Sequence, residues 1–300
     1  MNGRRGTIDL TAAASFMATH ARLLDRRRFR VLLDDGGRDD ILAALDAYRN
    51  PDGGYGWGLE PDLRSSESQP AAALHAFEAL AEVAPATTPR AGELCDWLAS
   101  ASLADGGLPF ALPVADPAGV APFWAQADAT RSSLQITAFV TAVAHRLAEH
   151  DRAVAGHPWL ARATRYCLAA IDALDDAPHA LVLTAAVRFL DAVHDTDPET
   201  PALLRRLGTH VPRGGVLHVE GGTEEEMMRP LDLAPAPHRP ARAVVTAEAI
   251  AADLRRLRGE QQDDGGWRVD FASHSPAAVL DWRGYMTVHA LSILRANAGG

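Results

Sequence analysis

Two stretches of this 300-residue sequence gather side chains that can do chemistry. The first, "EPDLRSSESQP" (60–70), places Glu60, Asp62, Arg64 and Glu67 in a polar loop that feeds an alanine-rich helix carrying His75 and Glu78. The second, "MMRPLDLAPAPHRPAR" (227–242), is Pro-rich and irregular and holds Arg229, Asp232, His238, Arg239 and Arg242. Long loops are often functional, and clustered arginines can bind a carboxylate or a diphosphate through forked N–H donors. Solvated loop charge is the plain alternative for both. Near the C-terminus, Asp281, Trp282, Arg283 and Tyr285 interrupt an apolar helix. They either form the wall of an internal cavity or need partners elsewhere.

Other polar residues read more simply. Asp128, before "ATRSSLQ", stands where an N-cap of the following helix belongs, and Phe123 and Trp124 just upstream either staple that helix or line a cavity. Cys95 and Cys167 have no metal-ligand spacing and sit in apolar helical contexts, as buried thiols of a reducing compartment do. His20, His145, His179 and His289 occur singly on helices and read as satisfied core or surface residues. The glycines of "DGGYGWG" follow a helix and not a strand, which argues against a phosphate-cradling dinucleotide loop.

Composition sets the outer bounds. With 47% hydrophobic and 23% charged residues the chain is an ordinary globular sequence, and its net charge of −10 disfavours nucleic acid or an anionic membrane as a charge-driven partner. Asp9, His20 and Arg22 interrupt the N-terminal apolar stretch, so no signal peptide is read; no run is long enough to span a bilayer. A cytoplasmic protein with no integral membrane segment is the expectation.

The elements that must position these residues show up as a repeat. Asp52-Gly53-Gly54, Asp105-Gly106-Gly107, Arg213-Gly214-Gly215 and Asp264-Gly265-Gly266 recur at intervals of 105 − 52 = 53, 213 − 105 = 108 and 264 − 213 = 51 residues, a period near 53 with one copy lost. One-sided helices precede the motifs, with Ile41, Leu42, Leu45 and Tyr48 before the first and Ile250, Leu254 and Leu257 before the last. The helices that follow (71–80, 133–144, 275–294), with 179–190 in the degenerate middle, are apolar on most of their circumference and so buried on several sides. Only "VLHVE" (216–220) reads as a strand. This pattern predicts one all-α domain over 1–300, a ring of about eleven or twelve helices in hairpins, with an irregular insertion at about 216–242.

The last motif, "QQDDGGW", holds Gln261, Gly265 and Trp267 at the Q-x3-G-x-W spacing, with Leu257 at the upstream aliphatic position. It resembles the QW motif of squalene-hopene and oxidosqualene cyclases. Arg49, Gly53 and Tyr55, then Ser102, Gly106 and Leu108, then His210, Gly214 and Val216 look like eroded copies. The chain thus resembles the terpenoid cyclase and protein prenyltransferase superfamily over essentially its full length. The resemblance implies an (α/α) toroid with a central apolar cavity, in which Gln261 and Trp267 tie adjacent hairpins together.

The chemistry implied is an acid-initiated carbocation reaction on an isoprenoid or similar apolar substrate. The Asp-x-Cys zinc pair of prenyltransferases is absent, and "LDDGGRDD" (Asp34, Asp35, Asp39, Asp40) is one residue off a DDxxD magnesium cluster; acids there also suit a helix N-terminus. No cofactor is therefore expected, with magnesium implied only for a diphosphate substrate. No DxDD acid motif occurs, but Gln126, Asp128 and Thr130 fall at its spacing, making Asp128 the proton donor on this reading. Phe77, Trp124, Trp282 and Tyr285 would then stabilise the cation, and His75, Arg239 and Arg242 complete the expected substrate contacts. Two alternatives stay open: a non-catalytic toroid that binds a lipid, peptide or protein partner, and an enzyme whose Arg229, Arg239 or Arg242 holds an anionic substrate.

Overall fold

The computed structural model describes residues 8–174 and 178–298. Among them are fourteen α-helices and one two-stranded ribbon. The first half contains α1 (Leu10–His20), α2 (Leu23–Leu32), α3 (Arg38–Leu45), α4 (Pro70–Val83), α5 (Pro89–Ala101), the single turn α6 (Pro122–Ala125) and α7 (Leu134–Ala148). The second contains the short α8 (Arg152–Ala155), α9 (Pro158–Asp172), α10 (Ala180–Val193), α11 (Thr200–Gly208), the single turn α12 (Pro230–Leu233), α13 (Ala247–Gly259) and α14 (Pro276–Ala296). No helix among the described residues is long and apolar enough to cross a membrane.

The sequence places the helix starts. Proline opens α4, α5, α9 and α14, where its missing N–H costs nothing, and the side chains of Thr88, Ser133, Thr246 and Ser275 accept the free first-turn N–H groups of α5, α7, α13 and α14. As expected from their apolar circumference, α4, α7 and α10 are largely buried, with α7 packed against α4, α9 and α10; α14, read the same way, is only partly buried and leaves Pro276, Ala277 and Leu280 exposed. The amphipathic α3 and α5 pack on α4, α9 on α7 and α11 on α10, while α13 packs on α12 and α14. The stretch read as an insertion is more ordered than its proline content implies. Leu217–His218 pairs antiparallel with Met227–Met228, and Leu231, Leu233, Ala234 and Ala241 are buried in the core.

The repeated glycine motif does the same job at three of its four sites. In each, the Asp side chain accepts from the backbone N–H two residues on: Gly54 at 2.9 Å, Gly107 at 3.0 Å and Gly266 at 3.1 Å. Each motif then presses its first glycine on another helix. A Cβ on Gly53 would lie 2.9 Å from the Glu93 carbonyl of α5, one on Gly106 3.0 Å from that of Arg162 in α9, and one on Gly265 2.1 Å from backbone atoms of Ala12 in α1. All three glycines have φ near +90°, which L side chains rarely adopt. The last of these contacts brings the two ends of the chain together. The third copy is the degenerate one: nothing lies within 4 Å of a Cβ on Gly214.

Gln261 acts as structural glue. Its amide bonds the backbone of Asp9 and of Gly265, while buried Trp267 donates from Nε1 to the Leu257 carbonyl at 2.8 Å.

Candidate functional site

A cavity of about 790 Å³ lies among α4, α7, α10 and α14. Each helix contributes one stripe at helical spacing: Leu74, His75 and Glu78 from α4; Phe139, Val143 and Arg146 from α7; Leu181, Thr184 and Arg188 from α10; Trp282, Tyr285 and His289 from α14. Phe110, Trp124, Phe271 and Met228 extend the apolar wall toward the 219–226 segment. Such a largely apolar hollow with a few convergent polar groups is the usual form of a small-molecule site.

His75 organises one wall. Its Nε2 stands 3.0 Å from Glu60 and its Nδ1 3.1 Å from Glu78, and both rings of α14 meet it edge-on, Trp282 at 5.8 Å and Tyr285 at 5.1 Å between centroids. Burial alone would lower the imidazole's pKa, but the bonds to Glu60 and Glu78 raise it to about 9. Burial likewise would raise Glu78, and the bond and charge of His75 overcome it and bring Glu78 to about 2. The unit is a charged imidazolium between two carboxylates. Tyr285 donates its hydroxyl to Glu78 at 3.0 Å, and Arg28 of α2 sits 5.4 Å over the Tyr285 ring.

Asp62 fixes the neighbouring loop. Its carboxylate accepts from Ser273 Oγ, His274 N–H and Trp282 Nε1, each at 2.7 Å, which pins the segment carrying Phe271 to the cavity rim. On the far side stands Asp232. Burial raises it to about 6, with Asp253 and Asp270 pushing the same way, while one oxygen accepts the Arg229 N–H at 2.8 Å.

Of the residues expected from the sequence, His75, Trp124, Trp282 and Tyr285 line this cavity. Asp128 does not. It is exposed, its carboxylate accepts from the Thr130 hydroxyl and N–H at 2.6 and 2.9 Å, and those bonds lower its pKa. An ionised surface carboxylate cannot act as the protonated acid of a dry pocket, and the helix cap expected of it belongs to Ser133. Phe77 faces the other way, fully buried and stacked on Trp159 at 6.1 Å. Arg239 is tied to Asp191, and Arg242 to the carbonyls of Pro235 and Ala236 and to Asn297, so neither reaches the cavity.

Arg146, Arg188 and His289 were missed as a group, and His289 is a cavity residue where a satisfied helical histidine was expected. Their signal was charge on otherwise apolar helices, which becomes legible only when those helices share one hollow. Among the described residues no three His, Cys, Asp or Glu side chains gather as a metal site would require, and both cysteines are buried and free.

No family model and no curated protein matches the sequence. Among solved structures, a crystallised protein from Actinoplanes superposes with a TM-score of 0.54 over 96% of this chain and 90% of its own length, at 16% identity. At that identity the likeness is one of fold alone.

Proposed function

We propose that the protein is a terpenoid-cyclase-like (α/α) toroid that takes an isoprenoid or similar apolar substrate into its central cavity. The observation that carries this reading is the hollow itself, about 790 Å³ with aromatic and aliphatic walls, lying among α4, α7, α10 and α14, of which α4, α7 and α14 follow glycine motifs. The fastening of the last motif to α1 supports ring closure.

For acid-initiated chemistry the donor must be a carboxyl held toward its protonated form. Glu60, Glu78 and Asp62 are committed to His75, Tyr285 and the rim loop. That leaves Asp232, which lines the wall and is raised to about 6 by burial, and Glu226, also raised by burial; Asp232, on α12, is the candidate donor of this reading. The test is incubation with polyprenyl diphosphates and squalene, with and without magnesium, read by mass spectrometry beside Asp232→Asn of confirmed folding. A cyclised product that Asp232→Asn abolishes is expected; product indifferent to the variant discards Asp232.

A second reading, binding without turnover, is favoured by the same commitment of Glu60, Glu78 and Asp62 to hydrogen bonds. It predicts a retained apolar ligand and no product from any of these substrates.

A further inference from the structure

The cavity's charges are unequally provided for. Glu60 and Glu78 share His75, Asp62 has three donors, and Asp232 has the Arg229 N–H. Arg28, just outside, is paired with Glu82 at 2.8 Å and Asp25 at 3.5 Å. The two guanidinium groups inside have no such partner. Among the described residues Arg146 makes no hydrogen bond or ion pair, and Glu78 and Asp191 act on it only from a distance. Arg188 makes one bond, from Nη1 to the Asp232 carbonyl at 3.2 Å, and that acceptor is uncharged.

The two arginines stand on packed neighbours, α7 and α10, close enough to repel. Burial, with that repulsion second, lowers Arg146 to about 10. His289 of α14 shares their surroundings, and burial together with Arg188 holds it neutral, at about 4. It too has no hydrogen-bond partner among the described residues, so it offers a third N–H to the same space. Like charges without counter-charge in a low-dielectric hollow are costly, and an anion that accepts from both removes the cost. Guanidinium forks match the oxygens of carboxylates and phosphates.

We propose that Arg146, Arg188 and His289 form the head-group site for an amphiphilic ligand, holding one oxyanion group, carboxylate or phosphate, while its apolar tail lies along Leu74, Phe139 and Val143. This rests on the cavity being a ligand site but not on any catalytic step. It moves the anion-binding role from the 227–242 segment, whose Arg239 and Arg242 are otherwise engaged, to the inner helices.

The experiment is calorimetric titration of dodecyl phosphate, dodecanoate and dodecanol, which share one tail, into the wild-type protein, Arg146→Met and Arg188→Met. At least one anion is expected to bind about ten-fold or more tighter than the alcohol, the ratio a hydrogen bond to a charged group gives. Both variants should lower that anion to the alcohol's affinity and leave dodecanol unchanged. Which anion wins separates phosphate from carboxylate. Dodecanol binding as well as both anions overturns the head-group site and leaves the cavity reading standing; so does an anion preference that survives in both variants. No binding by any of the three overturns the cavity reading and the site with it. Should a variant fail to fold, the wild-type comparison across the three head groups still decides.

Discussion

Gln261 and Asp9, 252 residues apart, are joined by a reciprocal pair of hydrogen bonds: Nε2 donates to the Asp9 carbonyl at 2.8 Å, and the Asp9 N–H donates to Oε1 at 2.8 Å. Asp9 also caps α1 through its carboxylate, at 2.9 Å from the Ala12 N–H. The last repeat is therefore fastened to the first turn of the first helix. Gly265 beside it sits at φ +94°, with no room for a Cβ against Ala12. Gly265→Ala is expected to destabilise by about 3 kcal/mol or more, from backbone strain plus overpacking. Gly214→Ala, at the degenerate copy with open space around it, is expected to stay within about 0.5 kcal/mol. Urea denaturation of the two variants checks this, and equal losses at both sites would refute the distinction.

The charged wall around His75 predicts how stability follows pH. His75 is raised from 6.5 to about 9, so its contribution is complete below pH 6.5 and is lost as pH rises through about 9. Glu78 is lowered from 4.5 to about 2, so its contribution is complete above pH 4.5 and is lost as pH falls toward about 2. The two together give a plateau between pH 4.5 and 6.5. His75→Ala leaves buried Glu60 and partly buried Glu78 facing a void and is expected to cost about 3–5 kcal/mol at neutral pH. It should also abolish the alkaline limb of the stability profile. An alkaline limb unchanged in the variant would locate that titration elsewhere.

The helices and the repeat were legible because both are local. Apolar circumference marked α4, α7 and α10 as buried, though α14 keeps an exposed side, and the DGG period marked the three turns that press on a following helix or on α1. His75, Trp282 and Tyr285, which line the cavity, stood out because charged or amphipathic side chains on an apolar helix need an unusual reason to be there. Asp128 failed for the complementary reason. Motif spacing fixes a residue's position along the chain but not its depth, and the four-residue turn α6 leaves the carboxylate in water beside Thr130. Phe77 failed by helix phase: two residues beyond His75 it points to the opposite side, onto Trp159. Arg146 and Arg188 stand 42 residues apart on different helices, and only packing α7 against α10 makes them neighbours.

Asp62 is expected to govern the shape of the cavity mouth. Asp62→Ala removes the acceptor shared by Ser273, His274 and Trp282 and leaves their donors without that partner, at an expected cost of about 2–3 kcal/mol. Amide hydrogen exchange should speed up over 270–275 ahead of the rest of the molecule. Asp128→Ala, which loses only the two exposed bonds from Thr130, is expected to change stability by no more than about 1 kcal/mol and to leave exchange in that segment untouched.

The unpartnered arginines make the opposite prediction for stability. Replacing an uncompensated half-buried charge by an apolar side chain of similar length removes a desolvation cost and keeps the packing, so Arg146→Met is expected to stabilise the ligand-free protein by about 1 kcal/mol or more. Arg188→Met should gain less, because it also gives up the bond to the Asp232 carbonyl. The repulsion between the two is relieved by either change alone, so the double variant should gain less than the sum of the single ones. Denaturation midpoints of the three variants measure this directly. A loss of stability in Arg146→Met would mean that its guanidinium has found a partner within the protein, leaving no vacancy for an anion to fill.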